Sequence, residues 1–168
     1  TNGEIFKDDF GEFTEIRNKL QKMPNDVLLK KLAGNLLLMA QSGQYNYPRI
    51  LNRGETASAQ LALFEFSNAA MKCYFLLNGK YMPYYKWQFR ALRDLPNGEF
   101  IADSLEFLIS TDNSSENAAI KNEIINSVGE EIISILKQKG ITKATCNDLE
   151  KHAYSVNDFI KNGNLRNT

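Results

Sequence analysis

Apolar residues recur along this chain at helical rather than strand intervals. Phe13, Ile16 and Leu20 fall at i, i+3 and i+7, and Pro24-Asn25 stops that helix and caps the next. The second helix runs from about Asp26 through Leu28, Leu29, Leu32, Leu36 and Met39 into Gln41. Its apolar positions cover more than one face, which places it centrally in the fold. The pattern then breaks over Ser42 to Arg49, where Gly43 and Pro48 predict a kink or loop and Pro48 biases Tyr47 away from the αR region.

An Ala- and Phe-rich helix follows from Glu55 to Leu77, carrying Leu61, Phe64, Ala69 and Phe75 and closed by Asn78-Gly79. The aromatic stretch Tyr81 to Trp87 opens a short helix to about Leu95, which Pro96-Asn97-Gly98 ends. Phe100, Leu105 and Leu108 mark the next helix, and Thr111-Asp112-Asn113-Ser114 is a polar loop. A long helix from about Glu116 to Lys139 carries Ile120, Ile124, Val128, Ile132 and Leu136, with Gly140 after it. Asn147-Asp148-Leu149-Glu150 fits a capping box that opens the last helix. Residues 1–11 read as an extended junction with a short β-like stretch, Glu4-Ile5-Phe6, too short to form a sheet alone. The prediction is all-α: one bundle of about six or seven helices over residues 12–163, with a frayed tail at 164–168.

At 168 residues the chain is one domain's worth. Its 20 Lys+Arg balance 20 Asp+Glu. That argues against a polyanion binder held by bulk charge and leaves only local basic patches, so there is no strong nucleic-acid signal. Cys73 and Cys146 have no second Cys or His at ligand spacing, which supports neither a zinc site nor a disulfide framework and fits a reducing cytoplasm. The longest apolar runs, such as Leu36 to Ala40, fall far short of a membrane span. Thr1-Asn2-Gly3 carries neither an initiator Met nor signal-peptide features and reads as an internal boundary of a longer protein.

Two constellations carry candidate chemistry. Gln41, Gln44, Tyr45, Asn46, Arg49, Arg53 and Glu55 crowd the region interrupted by Pro48 and Gly54, and guanidinium forks suit phosphates and carboxylates. The competing reading is that these residues satisfy a kinked backbone and that the arginines pair with Glu55. Lys86, Arg90 and Arg93 recur at i, i+4 and i+7 as a basic stripe, with Tyr85, Trp87 and Phe89 available to pack or stack. Trp87 is expected in the core, and Arg93, followed by Asp94, on a solvated face. His152, the only histidine, is expected at the surface or in a cap. No Asp-x-Asp, Walker loop or recognisable nucleophile motif occurs, so no catalytic or metal-binding residue is assigned.

The run Ala40 to Arg49, then Arg53-Gly54-Glu55, Leu76-Leu77-Asn78 and Tyr81-Met82-Pro83-Tyr84-Tyr85-Lys86-Trp87, resembles a bacterial domain-of-unknown-function family. Its members carry this helical region C-terminal to a nucleotidyltransferase-like domain. The opening Asn2 to Arg17 is similar to the stretch joining the two halves, and the resemblance covers about residues 2–110. It implies that Gln44, Tyr45, Asn46, Arg49, Arg53, Glu55, Tyr84, Lys86, Trp87 and Arg90 line a cleft facing the other domain. It further implies that Mg2+ and a nucleoside triphosphate serve the full-length protein.

Three functions follow as expectations. The first is a substrate-positioning accessory domain of a nucleotidyltransferase. The second is a self-association domain anchored by Tyr81 to Trp87. The third is an RNA-cleaving module of the related two-domain toxins, which place an Arg four to six residues before a His. The residues upstream of His152, Cys146 and Asn147 among them, include no such Arg.

Overall fold

The computed structural model describes residues 3–168, so the first two residues of the expected N-terminal junction lie outside the described residues. Helix α1 (Glu12–Gln21) is followed by α2 (Asn25–Met39), a π turn (Ala40–Asn46), α3 (Tyr47–Leu51) and α4 (Thr56–Leu77). A 3-10 turn (Tyr85–Trp87) leads into α5 (Gln88–Arg93), then α6 (Gly98–Ser110), α7 (Ser115–Gln138), α8 (Leu149–Asn157) and α9 (Gly163–Asn167). The architecture is all-α, and no strand occurs among the described residues. Glu4-Ile5-Phe6 forms no strand there either. Among the described residues no helix is long and apolar enough to cross a membrane.

Two helices organise the core. α2 buries Leu29, Leu32, Ala33, Leu36 and Met39 and packs against both α4 and α8. α4 is close-packed almost all round from Ala69 to Leu77, and its 22 residues make a rod of about 33 Å at ~1.5 Å per residue. Removing each large side chain from water there contributes roughly 1.5–3 kcal/mol. Asn78 and Gly79 end the rod: Gly79 turns at φ 65°, and its N–H donates to the carbonyl of Leu76 at 3.0 Å. On α8, Asp148 caps the first turn by accepting from the Glu150 N–H at 2.9 Å.

Three local expectations give way to tertiary structure. Ser42 to Arg49 is no loop but a π turn running into α3, and Tyr47 is helical at φ −50°, ψ −56° despite Pro48. The Tyr47 ring is fully buried and its hydroxyl donates to Asn113 Oδ1 at 3.1 Å, which outweighs the local steric preference. Gly43 lies against the Phe66 ring, where a Cβ would collide with it. The tail, expected to fray, forms α9, which α2 and α8 hold. Asn162 N–H donates to Asp26 Oδ2 at 2.8 Å, and Asn157 Nδ2 to the Arg166 carbonyl at 3.1 Å.

α1 contrasts with all of this. Asp8 caps it, accepting from the Thr14 N–H at 2.8 Å and the Thr14 hydroxyl at 2.6 Å, and the Thr14 hydroxyl above all holds the Asp8 carboxyl below its ordinary range. Yet α1 buries no residue. Its apolar stripe, Phe13, Ile16 and Leu20, is exposed, and Phe6 and Phe10 before it are 93% and 90% exposed.

Candidate functional site

The π turn positions the first group of candidates. A cleft of about 780 Å³ opens between it and the start of α8, with Gln41, Gln44 and Tyr45 on one wall and Asn147, Asp148 and Glu150 on the other. Gln44 spans the join. Its Nε2 donates to the Asn147 carbonyl at 3.0 Å, and its Oε1 accepts from the Leu149 N–H at 3.1 Å. The Gln44 amide is therefore engaged in both directions with the chain, and the opposite wall is acidic.

Tyr45 lies on the rim with the Arg49 guanidinium carbon 4.4 Å from its ring centroid, a spacing set by the i, i+4 geometry. Asn46, Arg53 and Glu55 are exposed nearby. Among the described residues neither arginine forms an ion pair with Glu55, so the expected internal pairing is not what occupies them.

The second group follows α4. Trp87, expected in the core, is 49% exposed and has two cations over its ring, Lys86 Nζ at 5.5 Å and Arg90 Cζ at 5.9 Å from the centroid. Phe89 and Leu92 take the apolar contacts of this segment instead. The rings of Tyr84 and Tyr85 are tilted at 49° with centroids 4.4 Å apart. Arg93 is not free on a solvated face: it bridges to Asp103 at 2.7 Å and Glu106 at 2.9 Å, fastening α5 to α6. The Tyr45 cleft includes none of Tyr84, Lys86 or Arg90. The π turn packs on α2, α3, α4, α7 and α8, whereas α5 packs chiefly on α6 and the 3-10 turn. The candidates thus form two patches within this chain rather than one.

Two polar residues carry more structure than their sequence context indicates. Lys121 is fully buried, and its ammonium donates to the Thr111 carbonyl at 2.8 Å, Asn113 Oδ1 at 3.1 Å and Gln60 Oε1 at 3.3 Å. Burial lowers its pKa, and the nearby Asp112 carboxylate opposes that shift. Its place was readable: Lys121, Ile125, Val128 and Ile132 fall at i, i+4, i+7 and i+11, one helical face.

His152, expected at the surface or in a cap, is buried with both ring nitrogens engaged, Nδ1 with Thr142 Oγ1 and Nε2 with the Cys146 carbonyl, each at 2.8 Å. It pins the 142–146 loop to α8, which removes it as a solvent-facing base. Among the described residues no group of three His, Cys, Asp or Glu side chains could hold a metal ion.

No curated protein and no solved structure matches this chain. A family model does match, over residues 1–88, a span that holds α1 through α4, the π turn and the Tyr84–Trp87 patch. That span is more than half of the chain, which therefore belongs to the family described as Domain of unknown function (DUF4037).

Proposed function

We propose that this chain is a substrate-positioning helical domain that works beside a nucleotidyltransferase-like domain and presents cations to the phosphates of a nucleotide or acceptor. The observation that carries this reading is the state of four cations. Arg49, Arg53, Lys86 and Arg90 are exposed and form no ion pair among the described residues, and three of them are held over aromatic rings. A guanidinium resting on a ring keeps its fork free to donate two parallel hydrogen bonds to an anion. The resemblance of the Ala40–Arg49 and Tyr81–Trp87 motifs to helical halves of two-domain proteins supports the same reading. So does the uncovered apolar face of α1, which a neighbouring domain would bury. In this role the chain positions, while Mg2+ and the catalytic carboxylates belong to the other domain.

Thermal stability with ATP, CTP, GTP or UTP, each with magnesium, tests it. A ligand at ~100 times its Kd stabilises a fold by ~2.7 kcal/mol, which for a chain of this size raises Tm by roughly 5–10 °C. The expected result is a shift with one of the four that an Arg49→Ala, Arg53→Ala variant loses while its own Tm in buffer stays put. A shift that persists undiminished in the variant overturns the assignment of these residues.

A further inference from the structure

Between Glu65 and Asp94 the chain has five cations, Lys72, Lys80, Lys86, Arg90 and Arg93, and no acidic residue, although its overall charge is zero. Arg93 is taken up by Asp103 and Glu106, and the other four lie along one strip of the chain from Lys72 to Arg90. Lys72 and Lys80 meet Lys31 of α2 around a cleft of about 230 Å³ whose rim includes Tyr81, and no acidic side chain lines it. Lys22 lines the neighbouring cleft that shares Lys80 and Tyr81. From Tyr81 the chain passes directly to the exposed rings of Tyr84, Tyr85 and Trp87, with Lys86 and Arg90 beside the last. Two contacts fix the approach: Tyr81 donates its hydroxyl to the Leu20 carbonyl at 2.8 Å, and Gln88 Nε2 donates to the Pro83 carbonyl at 3.3 Å.

We infer that this strip is a binding track for a single-stranded polynucleotide, with phosphates on Lys31, Lys72, Lys80, Lys86 and Arg90 and bases against the Tyr84, Tyr85 and Trp87 rings. This deepens the positioning role proposed above by naming the acceptor's class, and it rests on that reading for the Tyr84–Arg90 patch. Cations alternating with exposed rings suit unpaired bases, whose faces stack without sequence preference while the backbone follows the charge. A paired duplex hides those faces. A lipid surface takes Tyr and Trp rings beside lysines as well, and the vesicle arm of the experiment separates the two.

Fluorescence anisotropy of a labelled oligo(U), with oligo(dT) in parallel, measures the track on the whole chain. Five neutralised phosphates at about −0.7 each give a log–log salt slope of about −3.5. A Lys80→Ala, Lys86→Ala variant flattens that slope by about 1.4. A Tyr85→Ala, Trp87→Ala variant leaves the slope alone and weakens binding roughly ten-fold or more. These side chains are largely exposed, so unchanged circular dichroism melts confirm that the variants fold.

Three results overturn the inference: no binding at low salt, binding to phosphatidylserine vesicles in place of oligo(U), or inorganic polyphosphate binding as tightly as oligo(U) with ring substitutions making no difference. The nucleotide titration reads Arg49 and Arg53 and this one reads neither, so either reading can fail alone.

Discussion

α4 and α1 are written in the same code and meet opposite fates. Both carry large apolar residues at helical spacing, yet α4 buries thirteen of its residues and α1 buries none. The difference lies in what each helix packs against, since α4 touches α2, α3, the π turn, α6 and α7. α1 keeps its Phe13, Ile16 and Leu20 stripe uncovered, with the Tyr81 hydroxyl on the Leu20 carbonyl as its one long-range hydrogen bond among the described residues. Periodicity tells which face of a helix is apolar and says nothing about what will cover it.

Substitutions can break this comparison, and the largest effect is expected in α4. Phe66 is fully buried against Gly43, so Phe66→Ala should cost about 3–5 kcal/mol in chemical denaturation, through lost transfer energy and a cavity. A loss under 1 kcal/mol would mean that the packing around the π turn is loose.

Next comes Tyr47, whose phenol burial pushes up to about 12. The folded state holds this proton more tightly than the unfolded state, whose phenol titrates near 10. Its contribution is fully present below pH ~10 and is lost as pH rises toward 12, at no more than about 1.4 kcal/mol per pH unit. Stability measured from pH 9 to 12 should therefore fall more steeply in the native chain than in Tyr47→Phe. Parallel curves would show that the phenol titrates freely.

The smallest effect is expected in α1. A Phe13→Ser, Ile16→Ser double variant should stay within about 0.5 kcal/mol of the parent, because these side chains already face water. A markedly larger loss would place α1 against the body of the fold.

The same asymmetry explains how much could be read from the sequence. Element types and ends were legible wherever chemistry is local: Asn78-Gly79 stops α4 by adopting the left-handed turn that glycine permits, and Asp148 caps α8 with its own side chain. The π turn was not, because its partners are distant: Gly43 lies against Phe66, Gln44 bonds to Asn147 and Leu149, and Tyr47 just after it reaches Asn113, 66 residues away. Among candidate site residues, composition found the guanidinium groups and rings and could not sort them by partner. Arg93 and Arg90 lie three residues apart in one short helix, yet Arg93 is tied to Asp103 and Glu106 and Arg90 is not. Trp87 and His152 were misplaced for a related reason: side-chain type sets the average burial of tryptophan and histidine, while the particular neighbours set the actual one.

The π turn has a mechanical meaning as well. Each residue advances a regular helix by about 100°, so relaxing the wide turn by one residue would rotate everything after it by about that angle, Arg49 relative to α2 included. Gln44 sits inside that turn, and both ends of its amide are bolted to the start of α8, 103 and 105 residues away along the chain. The direction in which Arg49 points is thus indexed, like the hand of a dial, to the position of a helix near the opposite end of the sequence.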